Sequence, residues 1–230
     1  MYKLWYWPSI PGRGEFVRLA LEASGIAYRD CARTGEDITA DLRLDRKDAS
    51  FAPPYLVAGR HTIGQTANIL FYLAEQHELG PRTVARFWVN QVQLTVADAV
   101  AEVHDVHHPI DSGAYYEDQK PEARKRAAAF RGERLPKFFA WFENGLARNG
   151  DWIGGGSQWS TADLSLFQLV DGLAFAFPRR MATLAAKHPQ VMALHQRVGA
   201  LPELHAYLNS ERRLPYGDGI FRYYPELDGD

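Results

Sequence analysis

Cysteine is almost missing from this chain, where Cys31 is the only one among 230 residues. An intrachain disulfide, a Cys-x-x-Cys redox pair and a cysteine-rich zinc site are thereby excluded. A reducing, cytoplasmic setting is expected. Also missing is any uninterrupted apolar run long enough to cross a bilayer, so membrane insertion is not expected. The N-terminus enters a strand pattern directly, without a basic stretch followed by an apolar one, and no secretory leader is expected. Neither charge sign dominates. Lys and Arg number 26 against 28 Asp and Glu, interleaved to a net charge of −2, which leaves no basic footprint for nucleic acid. Repeats and low-complexity segments are absent. The triplet Gly154-Gly155-Gly156 follows no strand and leads to no Gly-Lys-Ser/Thr, so it is a loop and not a phosphate cradle.

What is present is an ordinary globular composition, long enough for two modest domains. Tyr2 to Trp7 is aromatic and roughly alternating, a strand ended by Pro8. Pro11-Gly12 turns the chain, and Gly14 to Ser24 carries Phe16, Leu19, Ala20 and Ala23 at helical spacing, with Gly25 as the stop. Ile26 to Ala32 suits a second strand, and the polar stretch Thr34 to Ser50 an irregular helix. Two strands about a turn at Ala58-Gly59-Arg60 come next, then a helix from Thr66 toward Glu78. Leu79-Gly80-Pro81 reads as a linker. Beyond it strand signals vanish. Arg82 to His107 and Gln119 to Asn149 are long helical patterns, with shorter ones at Thr161 to Leu173, Pro189 to Ala200 and Pro202 to Asn209. The expected organisation is an α+β domain over residues 1–79, a linker over 80–84 and an all-helical domain over 85–230. Ser160-Thr161-Ala162-Asp163 forms a capping box ahead of Leu164, with Trp159 placed to staple onto that leucine.

The stretch from Pro53 to Leu73 carries the most chemistry. Proline is tolerated in a strand only at its first residue, an edge or a bulge. It is also the one residue that readily takes a cis peptide, so Pro54 is a candidate for a kinked, outward-facing backbone edge. Gln65 and Thr66 then place an amide, a hydroxyl and free backbone N–H groups at a helix start. A strand edge beside an anion-welcoming helix N-terminus suits a short acidic peptide.

Motifs spread over nearly the whole chain point the same way. They are Tyr2-x-x-x-Tyr6-Trp7-Pro8, Gly12-Arg13-Gly14-Glu15, Pro54-x-Leu56, Gln65-Thr66-x-x-Ile69-Leu70, Val96-Ala97-Asp98, Ser160-x-x-Asp163, Tyr207-Leu208-x-Ser210 and Leu214-Pro215. In this order and spacing the chain resembles the cytosolic glutathione transferases, most closely the Tyr-type branches similar to the pi and sigma classes. The resemblance implies a thioredoxin-like first domain with a mixed four-stranded sheet, an all-α second domain, and a homodimer. It implies glutathione as co-substrate, conjugated to a small hydrophobic electrophile. Tyr6 is then the thiolate stabiliser, its hydroxyl donating to a sulfur whose ordinary pKa is about 8.5. A charge-assisted hydrogen bond of about 1.5–3 kcal/mol lowers that value by about one to two units.

By the same resemblance Gln65 and Thr66 hold the γ-glutamyl end, with Asp98 reaching it from the partner subunit. Arg13 supports the site, and Lys47 is the candidate for the glycyl carboxylate. Trp7, Ile10, Val103, His107 and His108 surround the electrophile. Two departures qualify the match. The spacing from Tyr6 to Arg13 is one residue longer than the Tyr-type pattern, and Ser9-Ile10-Pro11-Gly12-Arg13 also resembles the Ser-x-Pro-x-Arg of the theta and delta classes, making Ser9 the alternative. Pro53 has no N–H, whereas the family uses both main-chain groups of the residue before its cis-proline; at about 0.5–1.5 kcal/mol per bond, glutathione affinity falls by up to about tenfold. His104, Asp105, His107 and His108 share a helix end, yet neither His-Glu-x-x-His nor a cysteine cluster accompanies them, and no metal is expected. Two other functions stay open: a glutathione-dependent peroxidase or isomerase on the same site, and a non-catalytic binder of this fold.

Overall fold

The computed structural model describes residues 1–229. The first strand, β1 (Tyr2–Trp5), pairs in parallel with β2 (Tyr28–Asp30) and antiparallel with β3 (Tyr55–Ala58), which pairs antiparallel with β4 (His61–Gly64). The sheet order is therefore β2-β1-β3-β4. A helix, α1 (Gly14–Ala23), makes the parallel crossover from β1 to β2, as a parallel pair requires. The polar stretch after β2 holds a short helix, α2 (Ile38–Leu42), whose start is fixed by Asp37 accepting from the N–H groups of Thr39 and Ala40. Gly59 turns β3 into β4 with a φ of 61°, a conformation glycine adopts without Cβ strain. The first strand is shorter than its aromatic pattern: ladder partners end at Trp5, and Tyr6 and Trp7 belong to the turn toward α1.

After α3 (Thr66–His77) the rest is helical, beginning with α4 (Ala85–His107). The long pattern ahead of Asn149 divides into α5 (Lys120–Ala129), a π-helical turn at Phe130–Arg134 and α6 (Leu135–Asn149). Pro136 explains the break, because it cannot donate to the ladder of a regular helix; the widened turn absorbs the missing bond. Next come α7 (Thr161–Ala176), α8 (Pro178–Ala185), α9 (Pro189–Gly199), α10 (Pro202–Leu208) and a last turn, α11 (Pro225–Asp228). Both α8 and α11 are absent from the local sequence signals. The first is capped from far away, with Asp228 accepting from the N–H groups of Arg179 (2.9 Å) and Arg180 (3.3 Å). Only the folded tail supplies that carboxylate.

One apolar core runs through both halves. Phe16, Leu19 and Leu70 from the sheet side meet Val96, Leu166 and Leu173 from the helical side, all buried. An ionic cluster crosses the same boundary. Glu15 on α1 is fully buried and accepts from Tyr207 Oη (2.6 Å) and Arg213 Nη1 (2.7 Å), while Arg18 donates to it at 3.4 Å and to Asp30 at 2.6 Å. Arg213 also donates to Asp171, which takes the Tyr216 hydroxyl at 2.7 Å.

The capping box at the start of α7 is formed and extended. Asp163, fully buried, accepts from Ser160 N–H (2.7 Å), Ser160 Oγ (2.6 Å) and Ile153 N–H (2.8 Å). Asp163→Ala leaves two buried N–H groups without partners, each worth about 1–3 kcal/mol. Urea unfolding should show a loss of about 3 kcal/mol or more. Asp163→Asn, which keeps an acceptor, should lose clearly less.

Candidate active site

The sheet register assembles the site. Tyr55 opposes Trp5 on one side and Gly64 on the other, so Tyr6, Pro54 and Gln65 leave the sheet together at one end. The cis peptide bond lies between Pro53 and Pro54, with Pro54 buried. The ring nitrogen of Pro53 carries no hydrogen.

Tyr6 is 4% exposed and packs against the loop that starts α1. A Cβ on Gly14 would stand 2.6 Å from its ring, and one on Gly12 would overlap its hydroxyl. The two glycines thus let the backbone close around the phenol. Its Oη accepts the Arg13 N–H at 3.0 Å, leaving its own proton free to donate. Burial raises the pKa of Tyr6, outweighing the Arg13 and Arg18 contributions that lower it. The phenol therefore stays protonated at neutral pH, the state that donates to an anion.

At the start of α3, Gln65 has φ 66° and ψ 122°, a rarely populated conformation for a residue with a side chain. No side chain caps this helix, and Thr66 Oγ1 is buried without a partner. Thr66 is the first helical residue and lines a cavity of about 420 Å³, so the unsatisfied N–H groups of the first turn stand beside that cavity. That cavity is bounded by Arg13, Phe16, Gln65, Thr66 and, from α4, Gln93 and Leu94. Such a helix start favours a carboxylate.

A second cavity of about 630 Å³ adjoins it through Arg13, which lines both. Tyr6, Trp7, Ile10, His104 and His108 form one side; Tyr115 and the tail residues Arg222 and Tyr224 form the other. The tail is held firmly. Tyr224 stacks on Tyr116 at 3.8 Å, Tyr116 donates to Glu226 at 2.9 Å, and Phe221 covers Gly172 so closely that a Cβ there would overlap its ring.

The residues expected from the sequence thus fall into three groups. Tyr6, Arg13, Pro54, Gln65 and Thr66 gather at the sheet end, and Trp7, Ile10 and His108 line the second cavity. Val103 and His107 are buried beneath it, His107 Nε2 donating to Ile220 O at 2.9 Å. Ser9 is exposed on the turn after Pro8; Lys47 is exposed on the loop after α2, next to Arg46, which is tied to Asp41. Asp98 lies on the exposed face of α4, outside both cavities. Arg222 and Tyr115 have no sequence signal for a site, since only the folded tail and the loop after α4 bring them to it.

The three histidines pack ring against ring, His104 and His108 stacked at 4.9 Å. Among the described residues no group of three or more His, Cys, Asp or Glu is placed to hold a metal ion. Burial, then the Arg13 charge, depresses His104 to about 4. Burial depresses His107 to about 3, its bond to Ile220 opposing only in part. His108 is lowered by burial and then by Arg222.

A family model described as "Glutathione S-transferase, C-terminal domain" matches residues 104–211. A glutathione S-transferase of Dirofilaria immitis is 30% identical over 214 residues, covering 90% of this chain and 91% of that one. Glutathione S-transferase Mu 6 of Mus musculus is 26% identical over 220 residues, 92% of each. Among solved structures, the pi-class glutathione S-transferase of Onchocerca volvulus superposes with a TM-score of 0.69 at 25% identity, covering 92% of this chain and 93% of its own.

The histidine values carry a sign. An unfolded histidine takes up its proton near pH 6.5, while folded His104 and His107 stay neutral until about 4 and about 3. Between those limits the unfolded chain binds more protons, so stability should fall as pH drops from 6.5 toward 4, by up to about 1.4 kcal/mol per pH unit per histidine. Imidazole NMR signals of both residues should show no titration between pH 5.5 and 8. Titration near 6.5 would overturn this assignment.

Proposed function

Because the chain belongs to the glutathione S-transferase family, we propose that it conjugates glutathione to small hydrophobic electrophiles, with Tyr6 holding the thiolate. One observation carries the reading: a buried, protonated tyrosine hydroxyl with a free proton lines a cavity that adjoins, across Arg13, an anion-welcoming helix start. The γ-glutamyl end of glutathione lies at Gln65 and Thr66, near Arg13. Its cysteinyl part runs along the Pro53–Pro54 edge, and Lys47 approaches the glycyl carboxylate. With Pro53 in place, this edge offers the carbonyl alone.

The Tyr6 hydroxyl donates to the sulfur, so the thiol loses its proton to solvent more readily. The thiolate lone pair then forms a C–S bond at the electrophilic carbon. In a substitution the carbon–halogen bond breaks, and the halide leaves with its electron pair. Proximity in the joined cavities supplies much of the rate. In this reading residues 1–79 bind the peptide, 80–84 connect, and 85–230 carry the electrophile site. A cytoplasmic role in detoxification follows.

A homodimer belongs to the same proposal. Phe51 is 97% exposed beside the Pro53 edge, and Phe87 (57%) and Leu94 (50%) stand on the exposed stripe of α4 that also carries Gln91, Asp98 and Ala101. Large apolar side chains grouped in this way mark an interface. Asp98 is then positioned to reach the γ-glutamyl amine of the neighbouring subunit.

In Tyr6→Phe, the absorbance of bound thiolate against pH should show the glutathione pKa raised by about one to two units, with kcat/KM near neutrality about 10- to 100-fold lower. A rise in Ser9→Ala and none in Tyr6→Phe would transfer the role to Ser9. For the dimer, Phe51→Ser should lower the sedimentation mass at micromolar concentration toward that of one chain. An unchanged mass would remove Phe51 from the interface.

A further inference from the structure

We infer that the second cavity selects electrophiles that bear a carboxylate on an aromatic or similarly flat apolar body, and that Arg222 recognises the carboxylate. The inference rests on the transferase reading and concerns which electrophiles that site prefers. The charges of the cavity are sorted by depth. Its two carboxylates, Glu117 and Asp218, are exposed, while its two guanidiniums, Arg13 and Arg222, are half-buried. Among the described residues neither guanidinium has an ion-pair partner. Arg222 uses only its Nε, donated to Gly219 O at 3.1 Å, so both terminal nitrogens remain available. A guanidinium taken partly out of water without a carboxylate is poorly compensated, and its planar fork matches a carboxylate in two-point fashion.

The histidines add no charge of their own. His104 and His108 are held neutral in part by those same guanidiniums, which places a positive field across the floor of the cavity. The exposed Glu117 and Asp218 are screened by solvent and counter it weakly. Trp7, Tyr115 and Tyr224 supply flat apolar walls. Arg13 lines both cavities and is shared with the peptide; Arg222 lines only the second. The discriminating group is therefore Arg222, and it sits on the tail.

The test compares 4-chloro-3-nitrobenzoate with its neutral methyl ester in glutathione conjugation. Alongside it, equilibrium dialysis measures binding of the unreactive pair 1-naphthoate and 1-naphthamide to the full chain. The wild type should favour the acid in dialysis. In conjugation it should do so once each rate is divided by the uncatalysed rate with glutathione, because the ester activates the ring more than the carboxylate does. Arg222→Gln should reduce the acid-to-neutral ratio by about ten- to hundredfold, the range of one charge-assisted hydrogen bond, and Arg222→Lys should restore part of it. Equal losses for acid and neutral compound in Arg222→Gln would make the residue a mere tail anchor and overturn the inference. So would an unchanged ratio, or a wild-type preference for the neutral partner. If neither benzoate is conjugated while dialysis shows the Arg222-dependent preference, the transferase reading fails and the carboxylate site stands.

Discussion

A carboxylate in the middle of the molecule governs the rest. Glu15 is completely shut off from solvent, and a charge in that position is costly unless several donors surround it. Three do, and they come from three parts of the chain: Arg18 from the same helix, Tyr207 from α10 and Arg213 from the segment beyond it. Glu15 stands one turn from Gly12 and Arg13, the residues that close around Tyr6. The helix whose entry closes around Tyr6 is therefore held in place by groups nearly two hundred residues away. An apolar contact would tolerate sliding, whereas a carboxylate with directed donors sets the depth and rotation of α1.

The two cavities divide their physics cleanly. Around the first cavity the relevant groups are the N–H donors of the α3 start, while the buried phenol of Tyr6, which keeps its proton, lines the second. Across Arg13 the lining mixes aromatic rings with neutral imidazoles and two half-buried guanidiniums. In the proposed reaction, a thiolate held at Tyr6 meets two half-buried guanidiniums, Arg13 and Arg222, that stabilise negative charge. That arrangement favours a transition state in which charge moves from sulfur into the acceptor.

Much of this was legible where the signal was local. Pro53-Pro54, the turn at Gly59 and the Gln65-Thr66 helix start are each specified by neighbouring residues, and the strands and α3 follow them closely. The Ser160–Asp163 box was equally plain, although its third donor, Ile153, came from the preceding loop. Long-range partners were not legible. His107 belongs to the end of α4 beside the second cavity, yet a carbonyl 113 residues later draws it underneath. Arg222 lies among tail aromatics whose spacing has neither helical nor strand period, so nothing local places it on a cavity wall. The Tyr6–Ser9 ambiguity arose from a single added residue in the turn; the glycines at 12 and 14 accommodate the phenol there, while Ser9 remains on the surface.

The partners of Glu15 also bear on the order in which the protein is made. Tyr207 and Arg213 follow it by 192 and 198 residues. A chain growing from its N-terminus completes the sheet, α1 and α3 early, yet the buried carboxylate must wait until residues 207 and 213 have been added for two of its three donors. The N-terminal half thus gains its full set of constraints only after the helical half has been made, and α10 with the segment beyond it becomes the part that settles the loop around Tyr6.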